Sequence, residues 1–217
     1  MSEGTFDLNL FIKESKDVLL NPKSYFSTMK TSGGMTEPLI KAVIYGAVAG
    51  AITFLWSLLK LGAMGGGVFG GAIGIMAFIW SIIAAIIGLF IGGAIILVIS
   101  AICKGSTDFE ANVRVTAALM VIMPINALLG FAAHINLYFG VIVSLIVSLY
   151  SIWMLYNGLV QALKANPETA KIVSYIIAAL FVLILLLGIG AKRKAAQFMK
   201  DFNNTDVKEM MKDFPKN

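Results

Sequence analysis

The sequence predicts an all-α integral membrane protein with five spans, and three observations carry that reading. Charge is missing in four blocks: residues 42–59, 61–103, 115–163 and 172–191 contain no Asp, Glu, Lys or Arg. The blocks run 18, 43, 49 and 20 residues and occupy 130 of 217 positions. A bilayer core about 30 Å thick needs roughly 20 apolar residues per helical crossing, so the outer blocks are one crossing each and the middle two have room for more. Lipid offers the backbone no partner, so each block must pair its own amides as helix. Composition agrees, with 59% hydrophobic and 13% charged residues against ~25% charged in soluble domains.

The spans follow in order. The first runs from about 38 to 60, opened by Pro38-Leu39. Between Gly62 and Gly74 seven of thirteen residues are glycine, each costing ~1 kcal/mol relative to alanine in a helix. This predicts an irregular or re-entrant stretch over 61–74 and one long helix over 75–103. The 49-residue block divides at Ala133-His134-Ile135-Asn136, its polar cluster, into spans 113–133 and 137–163. The last span covers 170–191. Capping side chains beside a proline mark three helix starts, at Asn21-Pro22, Thr36-Glu37-Pro38 and Asn166-Pro167-Glu168. Thr107 and Glu110 have capping-box spacing, and Glu110 stands four residues before Arg114.

Lys/Arg placement sets orientation. With the N-terminus inside, Lys41, Lys104, Arg114, Lys164 and Lys171 flank inner helix ends, and Lys60 flanks an outer one. Lys192-Arg193-Lys194 falls outside in this scheme, and a six-span chain would bring it inside. The last 26 residues hold seven Lys/Arg and four Asp/Glu, much of the formal +5 charge. Without base-stacking aromatics among them they read as a membrane-flanking tail, so no nucleic-acid partner is expected. Residues 1–37 lack an unbroken apolar core, so no cleavable signal is expected.

Few residues suggest chemistry. Cys103, the single cysteine, and His134, the single histidine, fall at opposite ends of the membrane, so no Cys/His pair forms within the chain. No carboxylate lies inside the predicted spans, where ion-coupled transporters keep one for use. No cofactor, no metal and no enzymatic activity are therefore expected. Gly46-x-x-x-Gly50 and Gly88-x-x-x-Gly92 are faces for close helix packing, within the bundle or in a homo-oligomer. Pro124 removes a hydrogen bond in mid-span and frees the carbonyl of Met120, and Asn126 follows as a polar group able to bond a neighbour. Gly66 and Gly70, with Pro124 and Asn126, are the candidate hinge or polar path. Residues 6–20, with Phe6, Leu10, Phe11, Val18 and Leu19 among Lys and Asp, and residues 22–32 read as amphipathic helices lying in the membrane interface. The 192–217 tail reads as short amphipathic helices on the membrane or on a partner.

Four segments carry a family resemblance: Leu20-Asn21-Pro22-Lys23-Ser24-Tyr25-Phe26; Pro38-Leu39; Lys104-Gly105-Ser106 with Phe109 and Arg114, ahead of Pro124; and Gly158-Leu159. In order and spacing they resemble the Yip (Ypt/Rab-interacting protein) domain family over about residues 20–191. The resemblance implies a five-helix bundle with a cytoplasmic N-terminus and, in eukaryotic relatives, vesicle traffic, GTPase binding and membrane shaping. This chain lacks their long N-terminal region and the Asp-Leu-Tyr-Gly-Pro motif beyond Pro38-Leu39, which weakens GTPase binding as an expectation. It looks like a short prokaryotic member.

Two functions compete on this reading. One is a non-enzymatic scaffold that organises or shapes membrane and recruits lipids, membrane proteins or further copies of itself. The other is a channel or transporter for a lipid or small solute, through the Gly/Pro-broken helices.

Overall fold

The computed structural model describes residues 7–59 and 70–188. Among them helix is the regular structure and no strand occurs. Five helices are long and apolar enough to cross a membrane: Thr36–Leu58, Ile75–Ile102, Phe109–Leu129, Tyr138–Ala162 and Pro167–Gly188. The protein is an integral membrane helical bundle. Its outer surface is apolar, with Ile87, Ile91, Ile95, Ile142 and Ile146 exposed, as lipid-facing positions must be.

Two short helices precede the bundle. The first, α1 (Leu8–Leu20), is capped by the Asp7 carboxylate, which accepts from Asn9 N at 2.8 Å and Leu10 N at 3.1 Å. The second, α2 (Pro22–Thr28), starts on Pro22, but the Asn21 side chain makes no capping bond there. Both are docked on the bundle. Phe11 and Val18, read from sequence as part of a membrane-facing stripe, are buried, and the Tyr150 hydroxyl donates to the Leu19 carbonyl. Phe26 of α2 is 1% exposed.

The first span, α3 (Thr36–Leu58), also starts without a side-chain cap: Met35 takes the cap position and Thr36 is already helical. The next helix, α4 (Gly70–Ile102), overturns part of the expected irregular stretch, because Gly70–Gly74 is helix. Backbone pairing is obligatory in lipid and outweighs the ~1 kcal/mol propensity penalty of each glycine. Gly66 and the rest of 61–69 lie outside the described residues, as do the 192–217 tail and its Lys192-Arg193-Lys194 cluster.

The third span is broken into α5 (Phe109–Leu119) and α6 (Ile122–Leu129). Pro124 has no N–H to offer Met120, so the coil tightens: Met120 O accepts from Met123 N at 2.9 Å and Ala118 O from Val121 N at 3.3 Å. The expected capping box is not formed. Asp108 caps α5, accepting from Ala111 N at 2.7 Å, and Glu110 is drawn away to Arg114 and Gly34. A single turn, α7 (Ala132–Ile135), then leads to Asn136, whose Oδ1 accepts from Tyr138 N at 2.8 Å and starts α8 (Leu137–Asn157).

After α8 the coil widens into a π-helical turn, Gly158–Ala162, closed by Leu163 N on Gly158 O at 3.1 Å. Asn166 caps α9 (Pro167–Gly188), accepting from Glu168 N at 3.0 Å and Thr169 N at 3.1 Å. The loops after α4 and after the π-helical turn clasp each other: Ser106 N donates to Leu163 O at 2.7 Å, and Asn166 N to Cys103 O at 2.8 Å. Lys104 and Lys164 occupy equivalent places in them, both left-handed at φ 58 and 55. The chain forms two compact units, Met1–Ala178 and Ala179–Asn217. Of the second, the described part is the last stretch of α9.

Helix contacts rest on small residues. A Cβ at Gly46 would stand 2.7 Å from Ala85 Cβ, and one at Gly50 would strike the Ser81 side chain, so α3 lies close on α4. A Cβ at Gly93 would stand 2.5 Å from Val113 Cγ2, so α4 lies close on α5. Trp56 spans from α3 to α6, its Nε1 donating to Ala127 O at 2.9 Å.

Candidate functional site

The polar centre of the described residues lies beneath α1 and α2, where two cations sit within the first turns of two spans. Lys41 is 7% exposed and Arg114 6%. A buried cation is tolerated only when paired and hydrogen-bonded, and each is paired from more than one element. Lys41 Nζ lies 2.8 Å from Glu14 of α1 and 2.7 Å from Glu37, one turn earlier on α3. Arg114 lies 2.8 Å from the other oxygen of Glu37 and 3.0 Å from Glu110, one turn earlier on α5. Glu37 therefore bridges both cations, and three carboxylates meet two positive charges.

The network also builds the wall of a groove. In the loop between α2 and α3, Gly33 and Gly34 have φ of 131 and 89, where a side chain would be strained. Arg114 Nη2 donates to Gly34 O at 2.8 Å, and Gly34 N donates to Glu110 Oε1 at 2.6 Å. α1 closes the opposite side through the Ser15–Tyr45 hydroxyl contact at 2.8 Å and the Phe11–Tyr45 ring pair at 5.1 Å. Between them lies a groove of about 880 Å³, with Lys13, Asp17, Tyr25, Lys30 and Glu37 among its lining residues. Burial pushes the Tyr25 phenol up to about 12, against the pull of nearby Lys41. The Lys41 ammonium donates to the Tyr25 hydroxyl at 3.5 Å.

Such an arrangement binds elements together. It holds no nucleophile–base pair, and among the described residues no three His, Cys, Asp or Glu stand together to hold a metal. Cys103 is buried and free, and His134 belongs to α7.

The residues singled out from sequence fall in three places. Gly46, Gly50 and Gly92 lie at helix contacts, the last with a Cβ position 2.7 Å from Thr116 Cγ2. Gly88 does not: a Cβ there would meet nothing within 4 Å, so this half of the second small-residue motif makes no close approach. Pro124 sits at the break in the third span, and Asn126 is exposed, without the inter-helix bond expected of it among the described residues. Gly70 opens α4, and Gly66 is outside the described residues.

The remaining motif residues gather at the α1–α2 end. Phe26 packs on Gly158, a Cβ there standing 3.6 Å from its ring and 2.9 Å from Val115 Cγ1. Pro22 and Pro38 are buried, and Leu39 packs beside the core. A Cβ at Gly105 would stand 3.0 Å from Leu163 O, whereas Phe109 is exposed.

Sequence reading saw Glu110 and Arg114 as a local pair and missed that Glu14, Glu37 and Lys41 complete a network. One signal was available. Glu37–Lys41 and Glu110–Arg114 are the same i,i+4 pattern in the first turn of two spans. That placed four charges at one membrane depth.

The Yip1 domain family model matches residues 16–189, from within α1 to the end of α9. No curated protein and no solved structure matches the chain. The match takes in most of the chain, the five spans and four of the five network residues, and the chain belongs to the Yip1 domain family.

Proposed function

We propose that the protein is a non-enzymatic membrane organiser, which recruits lipid or protein partners at the end of the bundle covered by α1 and α2. The observation that carries this reading is where the buried charge goes. Lys41 and Arg114 are both spent on fastening α1 and the Gly33–Gly34 loop to the spans. A coupling site would instead leave an ionisable group with freedom to exchange ligand inside the membrane. The fastened end presents a charged groove and a helix with exposed Leu8, Leu10 and Ile12, features suited to a partner or a membrane surface. The Lys/Arg bias of the spans supports an N-terminus on the cytoplasmic side.

The break at Met120–Val121 favours a second reading, transport of a lipid or small solute past Pro124 and Asn126. Reconstitution into vesicles separates the two. The organiser reading expects vesicle shape or clustering to change with protein density, and expects charge reversal at Lys13 and Lys16, both exposed on α1, to alter it. Flux of lipid or solute that disappears in Asn126→Leu would replace it with transport.

A further inference from the structure

We propose that a phospholipid with an anionic headgroup binds in a second pocket, between α2 and the end of α8. This pocket holds about 430 Å³ and is lined by Asn21, Lys23, Ser24, Ser27, Trp153 and Gln161. Its polar side chains are unspent. Among the described residues those of Asn21, Lys23, Ser24, Trp153 and Gln161 form no hydrogen bond or ion pair, and Asn21 leaves its cap position unused. Ser27 alone is engaged, donating to Ser24 O at 2.8 Å. An ammonium, two amides, a hydroxyl and an indole N–H thus surround one space, and no carboxylate lines it. That donor set, with a single positive charge, complements phosphate oxygens.

The position selects a lipid over a free anion. Gln161 lies in the last turn of the span Tyr138–Ala162, at headgroup depth, and Trp153, eight residues earlier and about 12 Å deeper by helix rise, lines the same pocket. From Trp153 an exposed apolar ridge, Leu149, Ile146 and Ile142, runs down one face of α8 into the membrane, spaced three and four residues apart as one helical stripe. An acyl chain laid on that ridge brings its headgroup to the pocket. The site deepens the lipid-recruiting part of the proposed function and rests on it.

Native mass spectrometry of the delipidated full-length protein, titrated with phosphatidylglycerol or phosphatidylcholine, tests the site. One phosphatidylglycerol should bind in preference to phosphatidylcholine. Lys23→Ala should weaken it about fivefold, the worth of one surface lysine near an anionic headgroup, and Lys164→Ala, an exposed lysine outside the pocket, should leave it unchanged. Equal affinity for both lipids, an unaffected Lys23→Ala, or an equal loss in Lys164→Ala would overturn the proposal. Displacement by an equal concentration of inorganic phosphate would overturn it too, in favour of a free-anion site. The vesicle-shape assay reads the organiser function separately, so failure of either leaves the other legible.

Discussion

Arg114 reaches Glu37 across 77 residues of chain, its Nη1 2.8 Å from a carboxylate oxygen whose twin lies 2.7 Å from Lys41. This contact joins the third span to the first and makes one network of two local pairs.

Removing the guanidinium in Arg114→Met should destabilise the bundle by about 1–3 kcal/mol, because Gly34 O and Glu37 lose a buried donor while Glu37 keeps Lys41. Glu37→Gln should cost less, about 1–2 kcal/mol, since Glu37 is half exposed. Unfolding of the variants in detergent, arranged as a double-mutant cycle, checks the coupling. Strictly additive losses would show that the two residues do not act together.

Gly46→Ala and Gly50→Ala should each lower stability by about 1–3 kcal/mol, the cost of overpacking a contact. Their new methyls meet Ala85 and Ser81 of α4. Gly88→Ala should be neutral or stabilising by up to about 1 kcal/mol, since its methyl meets nothing and helix propensity improves. Thermal melts of the three variants in one detergent decide the matter, and a loss at Gly88 equal to that at Gly46 would refute this packing.

Five spans place the two ends of the chain on opposite sides of the membrane. Reporter fusions at Glu3 and at Asn217 should read opposite compartments, with the Glu3 reporter inside. Both reporters on one side would argue for six.

No cofactor is expected in the purified protein. Elemental analysis should find no transition metal at stoichiometric level, and one metal per chain would refute that expectation.

Local chemistry determined much about this protein. The charge-free blocks announced spanning helices because hydropathy acts residue by residue and backbone pairing in lipid leaves no other choice. The Asn166 cap and the break at Pro124 were legible for the same reason, each depending on groups within four residues. Other caps were not. Thr107 and Glu110 had capping-box spacing, yet Asp108 took the cap because Glu110 had stronger claims from Arg114 and from Gly34 N, 76 residues away in the chain. Tertiary structure alone decided which glycines touch a neighbour, since Gly46 and Gly88 read alike until α4 is laid beside α3. It also decided what holds α1, which the folded spans lock along one face through Phe11, Val18 and Glu14. Its apolar stripe and its charges suit a bilayer or a protein equally. What separated the two was the geometry of Lys41 and Tyr45, which the folded spans bring within reach.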